Sequence, residues 1–116
     1  MENIVSKVKR NRAAEEKQVI DEFVTRVREM LDERAKRIVF YGSRARGDAD
    51  EESDYDFLVL VEPFHKKDKK IVRDISTDIS YDNDCYISTR TIIASEFTED
   101  RFFYFYENVT KEGIDL

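Results

Sequence analysis

The sequence predicts an α/β (α+β) domain, a small mixed sheet flanked by helices, and three observations predict it. Residues 54–61, Asp-Tyr-Asp-Phe-Leu-Val-Leu-Val, are apolar on both alternating faces beyond Asp56, the pattern of a strand in the middle of a covered sheet. On either side of it, apolar residues recur at steps of three and four in long charged stretches, the period of helices with one buried stripe. The two kinds of segment alternate along the chain, giving the order α-β-α-β-α-β-α with ligand-binding residues at the strand ends.

Residues 1–11 are basic and polar and read as a frayed lead-in. From about Ala13 to Lys36, Val19, Ile20, Phe23, Val24, Val27, Met30 and Leu31 make one stripe of a long helix. Arg37–Tyr41 is a β-branched and aromatic run, hence a first strand, and Asp54–Val61 is the second. Pro63 stops the second strand. A helix from about Lys66 to Ser80 follows, with Ile71, Val72, Ile75 and Ile79 on one face, and the run Lys66-Lys67-Asp68-Lys69-Lys70 reads as its solvated first turn. Asp84–Ile93 is the third strand. Ser95 is placed to cap a last helix whose acids from Glu96 to Glu99 suit its first turn. Within that helix, Phe102-Phe-Tyr-Phe-Tyr106 is too long an aromatic run for one face. About three of the five are expected in the core, and the rest predict an interface with a partner protein or a second copy. Gly113 is the expected helix stop before a short extended end.

With 116 residues the chain suits one domain, 1–116. Its charged fraction is 40% and its mean hydropathy −0.65, but 41% hydrophobic content with six Tyr and eight Phe opposes disorder. A net charge of −6 and a pI near 4.9 oppose general nucleic-acid binding, which needs a basic surface, and so disfavour a template-directed polymerase. A protein or small-molecule acceptor fits better. The single cysteine, Cys85, has no partner for an internal disulfide and lies in an expected strand, where it reads as a small buried hydrophobe. No signal-peptide pattern and no apolar run of about 18 residues occurs, so the expectation is a cytoplasmic protein without membrane contact. The lone His65, beside Lys66 and Lys67, is expected to be solvated.

The chemistry concentrates in residues 42–56, Gly-Ser-Arg-Ala-Arg-Gly-Asp-Ala-Asp-Glu-Glu-Ser-Asp-Tyr-Asp. Gly42 permits a sharp turn and close approach of a phosphate. Ser43 offers a hydroxyl and opens a short helix whose free N–H groups favour an anion. Arg44 and Arg46 bring guanidinium groups able to hold a phosphate by two hydrogen bonds. Asp54 and Asp56 are two residues apart in a strand, so they face the same way about 6.6 Å apart, an arrangement that repels unless a cation such as Mg²⁺ lies between them. Gly42 and Gly47 also satisfy half of a P-loop, but that motif continues with Lys and Ser or Thr, where this chain has Asp48-Ala49. Attack at the α-phosphate, with pyrophosphate leaving, therefore suits the residues better than cleavage of the terminal phosphate.

Gly42-Ser43, Gly47 and Ser53-Asp54-Tyr55-Asp56 resemble the G-S-x-x-x-G-x-x-x-x-x-S-D-x-D signature of the polymerase-beta-type nucleotidyltransferase superfamily. The match is strongest to its minimal nucleotidyltransferase branch, many of whose members are similar to the antitoxin partners of HEPN-domain ribonuclease toxins. The resemblance implies a single-domain nucleotidyltransferase fold. It also implies an enzyme that uses Mg²⁺ at Asp54 and Asp56, binds ATP through Gly42, Ser43, Arg44, Arg46 and Ser53, and moves AMP to a hydroxyl, with a tyrosine of a HEPN-type partner as acceptor. A third carboxylate from a later strand serves as base in such proteins. Asp84, first residue of the expected third strand, is the candidate, and Asp82 the alternative. Two other functions fit the same residues: an inert module of this fold that neutralises its partner by contact, and transfer to a small molecule such as an aminoglycoside.

Overall fold

The computed structural model describes residues 12–116; the lead-in expected for residues 1–11 lies outside them. Helix α1, Arg12–Leu31, buries Val19, Phe23, Val27 and Leu31, a stripe at strict steps of four. It stops five residues short of the expected Lys36. Asp32 takes a left-handed conformation (φ 55°), a single 3₁₀ turn covers Asp32–Arg34, and the chain enters strand β1, Ala35–Tyr41. A one-turn helix α2, Ser43–Arg46, and a loop lead to β2, Tyr55–Val61. Helix α3, Asp68–Asn83, β3, Ile87–Ile93, helix α4, Glu99–Glu112, and a two-residue β4, Ile114–Asp115, complete the chain.

The sheet has four strands in the order β3-β2-β1-β4. β1 pairs antiparallel with β2 and β4, and β2 pairs parallel with β3, so the sheet is mixed and β2 lies between two neighbours, as its apolar pattern requires. One face carries Ile38, Phe40, Tyr55, Phe57, Val59 and Val61 against α1 and α3, with the Phe23 and Phe57 rings stacked at 4.0 Å. The other carries Val39, Leu58 and Leu60 against Phe97 and Val109, and against Phe102, Phe105 and Tyr106 of α4. Three of the five successive aromatics are thus in the core. Phe103 and Tyr104 stand exposed at a kink where Phe103 leaves helical geometry (φ 43°, ψ −109°).

Two expected helix starts lie elsewhere. α4 begins at Glu99 after Thr98; Ser95 belongs to a short 3₁₀ turn, where its N–H and hydroxyl both donate to the Glu62 carboxylate at 2.9 Å. α3 begins at Asp68. That residue is not a solvated acid in a lysine run: it is fully buried, accepts two hydrogen bonds from Arg34 at 2.6 and 3.1 Å, and takes the His65 backbone N–H at 2.7 Å. The His65 side chain is exposed, as expected. Gly113 does end α4, but in an ordinary extended conformation. A glycine is needed there because a Cβ would strike the Val109 carbonyl and come within 2.6 Å of Val39. Among the described residues no helix is long and apolar enough to cross a membrane.

Candidate active site

The turn between β1 and α2 is built on Gly42, whose φ of 84° and ψ of −165° favour glycine. Its carbonyl accepts the Arg46 N–H at 3.0 Å, and the Ser43 carbonyl accepts the N–H groups of Gly47 and Asp48 at 3.0 and 3.1 Å, closing one helical turn. Gly47, at φ 88°, is the left-handed cap. The same Gly42 lies against Asp56: its missing side chain is what leaves space for the Asp56 carboxylate. Strand register explains the encounter, since Asp56 pairs directly with Tyr41, the residue before Gly42.

Asp54 is exposed just ahead of β2 and Asp56 is half-buried at its start, on the face that continues through Leu58 and Leu60. Burial first, and then the negative charge of Asp54, push the Asp56 carboxyl above its ordinary pKa; Arg46 opposes the rise and Glu112 adds to it. The Tyr41 phenol is pushed up to about 12 by burial and by Asp56, against the pull of Arg90. The Asp54 charge thus disfavours ionised Asp56, a repulsion that added positive charge would relieve. Among the described residues no third His, Cys, Asp or Glu joins them in a ready metal cluster. Two carboxylates suit Mg²⁺, which keeps waters and substrate phosphates among its ligands.

The arginines divide. Arg46 stays on the acidic face, its guanidinium donating to Glu112 at 2.8 Å and to Asp48 at 3.2 Å. Arg44 turns to the α1 side, contrary to its expected place at a phosphate. Its guanidinium, almost completely buried, bonds the Ser53 carbonyl at 2.9 Å, Glu16 at 2.8 Å and the Glu51 carbonyl at 3.2 Å, and lies 4.1 Å above the Tyr55 ring. It holds the loop that presents Asp54. Ser53 has a similar part: its hydroxyl donates to the Asp50 carboxylate at 3.3 Å and accepts the Asp50 N–H at 3.1 Å, a closed local turn.

Asp84 is not the first residue of a strand. α3 runs through Asn83, taking Asp82 into its last turn, and Asp84 is the left-handed residue (φ 51°) that ends it, with β3 beginning only at Ile87. Asp84 lines a cleft with Arg12, Gln18, Arg44 and Tyr55, on the α1 side of the sheet, whereas Asp54 and Asp56 face the α4 side. Asp82 lines another depression with Arg26 and Tyr81. Among the described residues neither joins the acidic pair in a metal-type cluster. Because β2 and β3 are parallel with Asp56 opposite Ser88 and Leu58 opposite Arg90, the β3 residues on the acidic face are Ser88, Arg90 and Ile92. Cys85 is half-buried against the α1-side core, outside any strand, and burial raises its thiol pKa, so it is a packing residue and not a nucleophile.

Sequence reasoning missed Tyr41, Arg90 and Glu112. Tyr41 was findable by alternation from Gly42; Arg90 needed the parallel register, and nothing in the spacing marks Glu112.

Residues 20–116 match the family described as "Nucleotidyltransferase domain". Two proteins of Methanocaldococcus jannaschii are similar in sequence, "Putative protein adenylyltransferase MJ0141", 40% identical over 61% of this chain and 73% of that protein, and "Putative protein adenylyltransferase MJ0604", 34% identical over 84% and 94%. In structure the chain resembles one from the crystal structure of a toxin-antitoxin with AMP-PNP, with a TM-score of 0.54 and 13% identity over 80% of this chain and 68% of that one, a likeness of fold.

Proposed function

Because the chain belongs to the nucleotidyltransferase domain family, in its minimal branch, we propose that it is a Mg²⁺-dependent protein adenylyltransferase that moves AMP from ATP to a hydroxyl of a HEPN-type partner. The observation that carries the proposal is the fit of Asp56 into the space of Gly42's missing side chain, which brings the phosphate turn and the acidic pair to one point. Gly42 and Ser43 hold the triphosphate, and Arg46 lies on the same face to meet its charge. Asp54 and Asp56 would hold Mg²⁺, which when bound neutralises charge on the phosphates. The acceptor hydroxyl attacks the α-phosphorus and gives up its proton to water, the bond from that phosphorus to the bridging oxygen breaks, and pyrophosphate leaves. Arg44 and Ser53 act by keeping the Asp54 loop in place. Exposed Phe103 and Tyr104 are the proposed partner contact.

A second reading has a specific observation in its favour. β3 offers Ser88, Arg90 and Ile92 to the acidic face, not a carboxylate, so a module that binds its partner without transfer also fits. Calorimetric titration with ATP tests the site: affinity is expected to require Mg²⁺ and to vanish in Asp54→Asn plus Asp56→Asn. Mass spectrometry of a co-expressed partner then separates the readings, since an AMP adduct supports transfer and stable, unmodified, inhibited partner supports the module.

A further inference from the structure

β3 is an edge strand, paired only with β2 among the described residues. A groove of about 500 Å³ follows its free side, lined by the strand from Thr89 to Ile93 and by Phe64, Lys69, Arg73, Glu96 and Phe102. Lys69, Arg73 and Arg90 bring three positive charges to it, in a chain whose net charge is −6. Among the described residues none of the three has a carboxylate partner, while Arg26, Arg34, Arg37, Arg44 and Arg46 all have one. The groove's acid, Glu96, faces Arg101 at 3.7 Å. Arg90 is propped over the Phe105 ring at 4.2 Å, on the face of Asp56.

We propose that this groove docks an acidic, extended polypeptide segment, which adds to β3 as a further strand and so brings its hydroxyl toward Asp54 and Asp56. An unpaired edge supplies a row of backbone hydrogen-bonding groups, and side chains on either side select what pairs with it. A second copy of the same edge would set Lys69, Arg73 and Arg90 against themselves, so the charges turn away self-association and favour a negative strand. The placement also suits the chemistry. Gly42 and Ser43 lie on the β1 side of β2 and β3 on the other, so donor and acceptor approach the acidic pair from opposite flanks. The inference thus rests on the transferase reading for its purpose, but not for its binding.

The test is fluorescence anisotropy without nucleotide, using a short labelled peptide of alternating Glu and Val with a central Tyr. It is compared with the same peptide carrying Lys for Glu, and with the Glu peptide N-methylated at alternate residues. The Glu peptide is expected to bind and the other two not, with affinity falling about tenfold or more in Lys69→Gln plus Arg73→Gln and with added salt. Lys36→Gln plus Lys111→Gln, which removes equal charge outside the groove, should leave binding unchanged. Equal binding of the N-methylated peptide overturns strand addition, and equal binding of the Lys peptide, or no effect of the groove substitutions, overturns the acidic preference. ATP titration stays a separate readout: peptide binding without ATP binding sinks the transferase reading alone, and ATP binding without peptide binding sinks this one.

Discussion

A Cβ built on Gly42 would overlap the Oδ2 oxygen of Asp56 and stand 3.0 Å from its Cγ. A carboxylate of the acidic pair thus occupies the volume of a side chain that is absent, and the backbone that shapes the Gly42 turn also determines where that carboxylate points. Gly42→Ala is expected to cost about 1–2 kcal/mol in stability, from the positive φ and the overlap, and to weaken Mg²⁺–ATP binding. In a double-mutant cycle, adding Asp56→Ala should recover part of the stability but none of the binding. Additive effects on stability would mean that the two residues do not touch.

Asp56→Asn should make the protein more stable. Burial and Asp54 both favour the neutral form of the Asp56 carboxyl, so an uncharged isostere relieves a standing repulsion. A modest rise in Tm should accompany loss of nucleotide-dependent activity, the exchange usual at functional sites. An unchanged or lower Tm would count against crowding at the pair.

Arg44→Met should loosen the loop without removing any group that touches nucleotide. Three hydrogen bonds and the contact with Tyr55 go together, for about 2–3 kcal/mol. Hydrogen exchange should speed up at residues 51–55 before it does in α3. If binding falls while exchange there stays slow, Arg44 meets the phosphate directly.

Asp84→Asn should be mild. Asn tolerates the left-handed conformation that ends α3, and the side chain lies across the sheet from the acidic pair, so transfer should change less than about twofold. Removing a general base commonly costs roughly 10²- to 10⁴-fold, so a loss of that size in a transfer assay would restore Asp84 to the mechanism.

Asp68 makes an acid-stability prediction. Burial pushes its carboxyl up, but hydrogen bonds from Arg34 and the His65 N–H, with the Arg34 charge, prevail and hold it below the usual range. A lowered folded pKa gives stability that is complete above the unfolded value of roughly 3.9 and lost as pH falls through the folded one. Asp68→Asn should therefore lower Tm at neutral pH by more than breaking the exposed Lys70–Asp74 pair does, and should flatten the acid limb of the Tm–pH curve. Parallel wild-type and mutant curves would contradict this.

Much of the scaffold is legible because it depends on periodicity. The stripe from Val19 to Leu31 and the two-sided apolar run from Phe57 to Val61 leave few alternatives, and the turn and acidic pair stand out by residue type. What stays hidden depends on partners distant in sequence. The two residues of β4 carry no pattern, and pair with Val39 and Phe40 only because α4 returns the chain there. Asp68 looks solvated until Arg34 is placed beside it. The left-handed turns at Asp32 and Asp84 shift two element boundaries by several residues, and Asp84 thereby lost its expected place.

Arg46 belongs to two structures, since its backbone N–H closes the Gly42 turn while its guanidinium bonds Glu112 at the end of α4. An anion that draws Arg46 toward the turn must compete with Glu112 for it. Thermodynamic reciprocity then sets a condition on any protein that binds α4: whatever factor bound nucleotide applies to that protein's affinity, the protein applies to the nucleotide's. The helix carrying the exposed Phe103 and Tyr104 and the turn carrying Gly42 would accordingly report on each other through a single shared charge.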